Sequence, residues 1–150
     1  MYMSQIGAYQ KTNVVTSDPK KLVVMCYDAA ITNLKMAKAM YLKKKYEAKA
    51  NALGKAVDII GELREALNFE KGGEIANNLD ALYGYMLSRL MQGDVKRDVG
   101  AMDEVIYMLE ELGSAWKTIF FSDDTAVETV KTQDLSSNYP AQNTMVPQAV

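Results

Sequence analysis

The sequence predicts an all-α protein, an elongated antiparallel up-down four-helix bundle with an N-terminal arm and a disordered C-terminal tail. Three observations carry that expectation. The composition is 49% hydrophobic with only 3 prolines in 150 residues, and its abundant alanine, leucine, methionine, lysine and glutamate are strong helix formers. Apolar residues recur every three or four positions through four successive stretches, as they do on one face of a helix. The links between those stretches are short, which makes sequential helices antiparallel neighbours. The bundle domain is expected over 1–122 and the tail over 123–150.

Residues 1–16 read as an arm, in which Tyr2, Met3, Ile6 and Tyr9 are apolar or aromatic without a sustained period. A helix over about 18–44 starts at Asp18-Pro19, because Asp18 can accept from free N–H groups and proline suits the first turn. Its polar stripe (Lys21, Asp28, Thr32, Lys35) is narrow. Leu22, Val23, Val24, Met25, Cys26, Tyr27, Ala30, Ile31, Leu34 and Ala37 cover most of the remaining circumference. A helix apolar that far round is central in a bundle or covered by something else. Lys43-Lys44-Lys45 reads as a solvated turn, and three lysines alone are thin ground for a phosphate or lipid site.

A second helix, about 46–68, carries two stripes: Ala52, Ala56, Ile59, Leu63 and Ala66, then Leu53, Val57, Ile60 and Leu67. Gly72-Gly73 marks an elbow before a third helix, about 74–92, since paired glycines turn a chain tightly and extend a helix poorly. Its faces are Ile75, Leu79, Leu82 and Met86 beside Ala76, Tyr83, Leu87 and Leu90. Ile75, Leu79 and Leu82 are expected in the core, and Gly93 fits a left-handed stop. Asp98 caps the fourth helix, about 98–120, patterned by Val99, Met102, Ile106, Leu109 and Trp116 with Val105, Met108, Leu112 and Ile119 alongside. From Asp123 the periodicity ends in Ser, Thr, Asn and Gln with Pro140 and Pro147, a composition that does not form a packed core.

The chemistry open to this chain is narrow. With no histidine, the Glu-x-x-His di-metal sites of helical bundles and any Ser-His-Asp or Cys-His arrangement are excluded. The single cysteine, Cys26, lies in an apolar run and reads as a small buried hydrophobe. Glu62, Glu65, Glu110 and Glu111 read as solvated helix surface, paired with neighbouring lysines and arginines. No cofactor or metal is implied, and an enzyme is not expected. A net charge of -2, with 17 basic and 19 acidic residues interleaved, gives no electrostatic reason to bind nucleic acid or an anionic membrane. No apolar run approaches the ~18 residues of a membrane span, and the N-terminus does not read as a signal peptide.

What remains is surface for a protein partner, with 10 methionines and 9 tyrosines as adaptable contact residues. Most have an ordinary core explanation. The successive tyrosines at 83 and 85 are the exception: they point in different directions on a helix, so at least one is peripheral.

Specific runs carry a family resemblance. They are Val57-Asp58-Ile59-Ile60-Gly61-Glu62-Leu63, Glu70-Lys71-Gly72-Gly73-Glu74-Ile75-Ala76, Asn78-Leu79, Leu82-Tyr83, Tyr85-Met86, Arg89-Leu90 and Ala115-Trp116-Lys117. Upstream, Ala8-Tyr9, Asn13, Asp18-Pro19-Lys20-Lys21-Leu22, Met25, Tyr27-Asp28 and Ala30 follow in the same order. From about Tyr2 to Lys117 the chain resembles the flagellar secretion chaperones specific for flagellin.

That resemblance implies a four-helix bundle of the bacterial cytoplasm that binds the C-terminal segment of flagellin. It implies that the chaperone prevents premature polymerisation and presents flagellin to the flagellar export gate. It also implies an arm, here Ile6 and Tyr9, that covers the chaperone's own flagellin-binding surface when no flagellin is bound. Tyr27, Ile59, Leu63, Tyr83 and Met86 are the implied contact surface, and Tyr85 joins them as the peripheral tyrosine. Gly84 departs from the family, where an acidic residue is common. The other readings are a bundle that binds a different secretion or regulatory protein, such as an anti-sigma factor, and a homodimer that buries the excess surface against itself.

Overall fold

The computed structural model describes residues 18–121, so the arm and the tail, Ile6 and Tyr9 included, lie outside the described residues. Four helices follow in order: α1 (Pro19–Leu42), α2 (Tyr46–Glu65), α3 (Phe69–Lys96) and α4 (Gly100–Phe121). Three of the four starts have a side-chain cap, α2 being the exception. Asp18, in extended conformation, accepts from the Lys20 N–H at 3.0 Å, and Pro19 takes the first helical position. Asn68 accepts from the Lys71 N–H at 3.0 Å, and Asp98 from that of Gly100 at 2.9 Å. These side chains satisfy N–H groups that a helix leaves open at its start.

The third helix differs most from expectation. It starts at Phe69, runs for one turn, and breaks at Gly73, whose φ of 53° and ψ of -126° belong to glycine. The paired glycines therefore mark a kink inside the element, and the connection itself is 66–68. Nor does Gly93 end the helix. It stays helical and buried, and the left-handed residue is Arg97, with φ 57°. Gly93 serves packing instead, because a Cβ there would lie 2.3 Å from the Cβ of Ala101 on α4. Its carbonyl does join the stop, accepting from the Asp98 N–H at 2.8 Å. Gly93→Ala is expected to force α3 from α4 and cost about 1–3 kcal/mol, read as a lower urea midpoint.

α1 packs on α2 and α4, and α3 packs on the same two helices, closing the up-down bundle. The α1–α2 contact is the most extensive. Buried alanines on both, Ala30, Ala37, Ala52 and Ala56, let two backbones approach closely. The core is filled by Tyr27, Leu34, Ile59, Ile60, Tyr83, Met86, Leu90, Val105, Leu109 and Trp116. Leu82, expected in the core, is exposed, because it stands at the edge of the α3 stripe centred on Leu79, Met86 and Leu90.

Ion pairs run along three seams: Lys35–Glu110, Lys38–Asp103 and Lys117–Asp28 join α1 to α4, Lys49–Asp94 and Arg64–Asp80 join α2 to α3, and Arg89–Glu104 joins α3 to α4. Solvated pairs of this kind are worth at most about 1 kcal/mol each, so they fix register more than stability. At Gly84 the Arg64 guanidinium lies 3.0–3.2 Å from where a Cβ would stand. That side chain can shift, so Gly84→Ala is expected to stabilise by up to ~1 kcal/mol through helix propensity, seen as a raised melting temperature.

Candidate partner-binding surface

The residues singled out for partner contact divide sharply in the fold. Tyr27, Ile59, Leu63, Tyr83 and Met86 are buried. Tyr85 is 46% exposed. The two-residue offset that separates Tyr83 from Tyr85 sends one ring inward and the other out, as helical geometry requires. In this conformation the five buried residues are core, and their apolar character needs no partner to explain it. Of the described candidates, Tyr85 alone is open to contact.

Tyr27 of α1 and Tyr83 of α3 meet across the bundle, hydroxyl to hydroxyl at 2.5 Å, with ring centroids 6.4 Å apart. Gly113 on α4 makes room, since a Cβ there would already sit 3.5 Å from the Tyr27 ring. Trp116 lies on the same helix and stacks on Phe120 at 5.2 Å. Burial pushes the Tyr27 hydroxyl up to about 12 and raises that of Tyr83 well above its ordinary value. The pair stays protonated, one hydroxyl donating to the other. Tyr27→Phe or Tyr83→Phe alone should cost about 1–3 kcal/mol, because one buried hydroxyl then lacks its partner. The double phenylalanine variant should fall well short of the sum of the two, a double-mutant cycle by urea denaturation.

Glu62 corrects the sequence reading. It was expected on a solvated face, yet it is only 3% exposed, and neither carboxylate oxygen has a hydrogen-bond partner. Its place on α2 turns it toward α1 and Cys26, whose thiol is pushed up to about 11 by burial and by the Glu62 charge. Burial, then the charges of Asp58 and Glu65, push the Glu62 carboxyl up to about 7. Glu65, Glu110 and Glu111 are exposed as expected. Sequence spacing did contain the signal: Glu62 lies three residues from Ile59 and one from Leu63, at the margin of the core stripe.

On the outside, the Tyr85 hydroxyl donates to Glu104 Oε2, while Arg89 Nε donates to Glu104 Oε1 at 2.7 Å. The Tyr85 hydrogen bond, then that of Arg89, holds the Glu104 carboxyl below its ordinary value. This ties the exposed ring of Tyr85 to the α3–α4 seam and gives it a fixed orientation. Arg64–Asp80 occupies the other flank of α3 at 2.7 Å, in place of any pair from position 84. Sequence reasoning passed over further exposed apolar side chains: Met36, Leu42, Tyr46, Met91, Val95, Tyr107 and Phe121. Met91 and Val95 could have been found, because they lie one turn apart and well off the α3 core stripe.

Fold and surface together define an all-α bundle of four helices with a presented tyrosine and exposed apolar side chains. Among the described residues no helix is long and apolar enough to cross a membrane, and no group of three or more Cys, Asp or Glu is placed to hold a metal ion. The family described as flagellar protein FliS matches residues 2–122. The chain is 40% identical over 118 residues to the flagellar secretion chaperone FliS of Vibrio cholerae, covering 76% of this chain and 87% of that protein. It is 39% identical over 121 residues to the one from Salmonella typhimurium, covering 77% and 90%. With the flagellar secretion chaperone FliSB of Pseudomonas aeruginosa it shares 35% identity over 121 residues, covering 78% and 96%. The chain belongs to the FliS family. Its role is that of a flagellar export chaperone.

Proposed function

We propose that this protein binds the C-terminal segment of flagellin in the bacterial cytoplasm, prevents its premature polymerisation and delivers it to the flagellar type III export apparatus. The observation that carries the reading is the match to one chaperone family over residues 2–122, which spans all four helices. The bundle's physics is compatible with it. An amphipathic partner segment can bury apolar groups against exposed tyrosine and methionine without opening a catalytic site.

Tyr85 is the proposed surface contact, held toward the partner by Glu104 and Arg89. Tyr27, Ile59, Leu63, Tyr83 and Met86 would act from beneath, as the rigid floor behind that surface, and would touch a partner only if the helices part. Ile6 and Tyr9 belong to an arm that competes for the same surface. Co-purification with intact flagellin and with flagellin lacking its C-terminal segment tests the proposal. Retention of the intact form alone is expected, and equal retention of the truncated form would sink this mode of recognition. Deleting residues 2–15 should leave calorimetric affinity for a flagellin C-terminal peptide unchanged or tighter. A large loss would make the arm part of the binding site.

A further inference from the structure

The charges of this chain nearly cancel in sum, yet the fold separates them in space. The α1–α2 connection and the α3–α4 connection lie at the same end of the bundle. The Tyr41 hydroxyl donates to the Arg97 carbonyl at 3.4 Å, and the Tyr41 and Tyr46 rings meet edge-on at 5.9 Å. Lys43, Lys44 and Lys45 from one connection are thereby brought beside Lys96 and Arg97 from the other. All five are exposed, and none has an ion-pair partner among the described residues. The other cations at this end, Lys38, Lys49 and Arg89, are each bound to a carboxylate. Glu47 is the only acid at this end without such a pair among the described residues.

Apolar side chains stand among these cations. Leu42 is 62% exposed, Tyr46 54%, Met91 68% and Val95 83%. The opposite end, where α1 begins and α2 meets α3, is mixed: Glu65, Glu70 and Glu74 stand exposed with Lys20, Lys21 and Lys71. The bundle thus carries its uncompensated positive charge at one tip, and that field turns the tip toward a negative surface at long range.

We propose that this tip is a peripheral docking surface for anionic phospholipid bilayers. A convex end of two helix connections, with splayed lysines that no neighbour holds in place, suits a diffuse negative plane better than one defined carboxylate. Lysines reach phosphate headgroups as point charges. Leu42, Met91 and Val95 enter the interface, and Tyr46 sits at headgroup level, where amphipathic rings are favoured. The contact is peripheral and reversible.

Flotation of the full chain with phosphatidylcholine vesicles, with and without phosphatidylglycerol, tests this directly and needs no flagellin. Co-flotation is expected only with the anionic vesicles, and it should fade as added salt shortens the Debye length. K43E/K44E/K45E should weaken binding by at least about tenfold. Its circular dichroism and melting temperature should stay those of the parent, because these side chains hold no partner in the fold. Leu42→Ser with Val95→Ser should weaken it further at constant charge. Absence of flotation, or equal flotation with neutral vesicles, overturns the proposal. Capture by an immobilised polyglutamate peptide without flotation also overturns it, by making an acidic protein segment the occupant.

Discussion

Trp116→Ala is expected to leave the bundle close to unfolding, with a loss of about 3–5 kcal/mol. Trp116 is the largest fully buried side chain, and its ring fills the space between Tyr27 on α1 and Phe120 on its own helix. Truncation removes that buried area and leaves a cavity that the surrounding helices, tied by ion pairs along their seams, cannot fully close. Domains of this size hold about 5–15 kcal/mol, so the loss is a large fraction of the whole. The measurement is urea denaturation followed by far-ultraviolet circular dichroism, because the substitution also removes the only tryptophan fluorophore. Trp116→Phe should recover roughly half of the loss, since most of the ring is restored. The indole N–H is buried beside the Tyr27 hydroxyl, so phenylalanine also removes the polar group that faces it. A loss below about 1 kcal/mol for alanine would mean that the site collapses and that the fourth helix is not anchored here.

Glu62→Gln is expected to act in the opposite direction and to change how stability depends on pH. The Glu62 carboxyl rises to about 7 in the fold from an ordinary value of 4.5. Below the ordinary value the group is neutral in both states and has no effect on stability. Between the two values the unfolded chain has released the proton and the folded one holds it. Stability therefore falls as pH rises through this window and levels off above the folded value. The shift corresponds to a cost of about 3 kcal/mol at most at pH 8. The glutamine variant should melt higher than the parent at pH 8, match it near pH 4, and show a flatter profile between. Asp80, bonded to Arg64, and Glu104, bonded to Tyr85 and Arg89, shift downward, so they work in the other sense, but their exposure keeps that contribution small. Equal melting temperatures of the two proteins at pH 8 would show that the buried carboxylate is solvated after all.

Much of the architecture was legible in the residues alone. The 3.6-residue period placed Leu34, Leu79, Leu90, Leu109 and Trp116 inside, and Asp18 and Asp98 announced two helix starts that the fold uses as expected. The same period settled that Tyr83 and Tyr85 could not share a core. The binding surface was less legible. An apolar residue has the same side chain whether it faces a core or a partner, and Tyr27, Ile59 and Met86 were read toward a partner although the neighbouring helices cover them.

What the chain determines by itself is therefore local and periodic: helices, caps and faces follow from backbone propensity and the spacing of apolar groups. Tertiary structure decided the properties that depend on neighbours distant in sequence. Gly93 looked like a stop, but Ala101 requires its missing Cβ. Glu62 looked solvated, but the fold buries it and raises its carboxyl. Three lysines looked like an ordinary turn until Tyr41 held Arg97 beside them. Burial, steric exclusion and electric field are sums over nearby atoms, and in a bundle many of those atoms come from other helices.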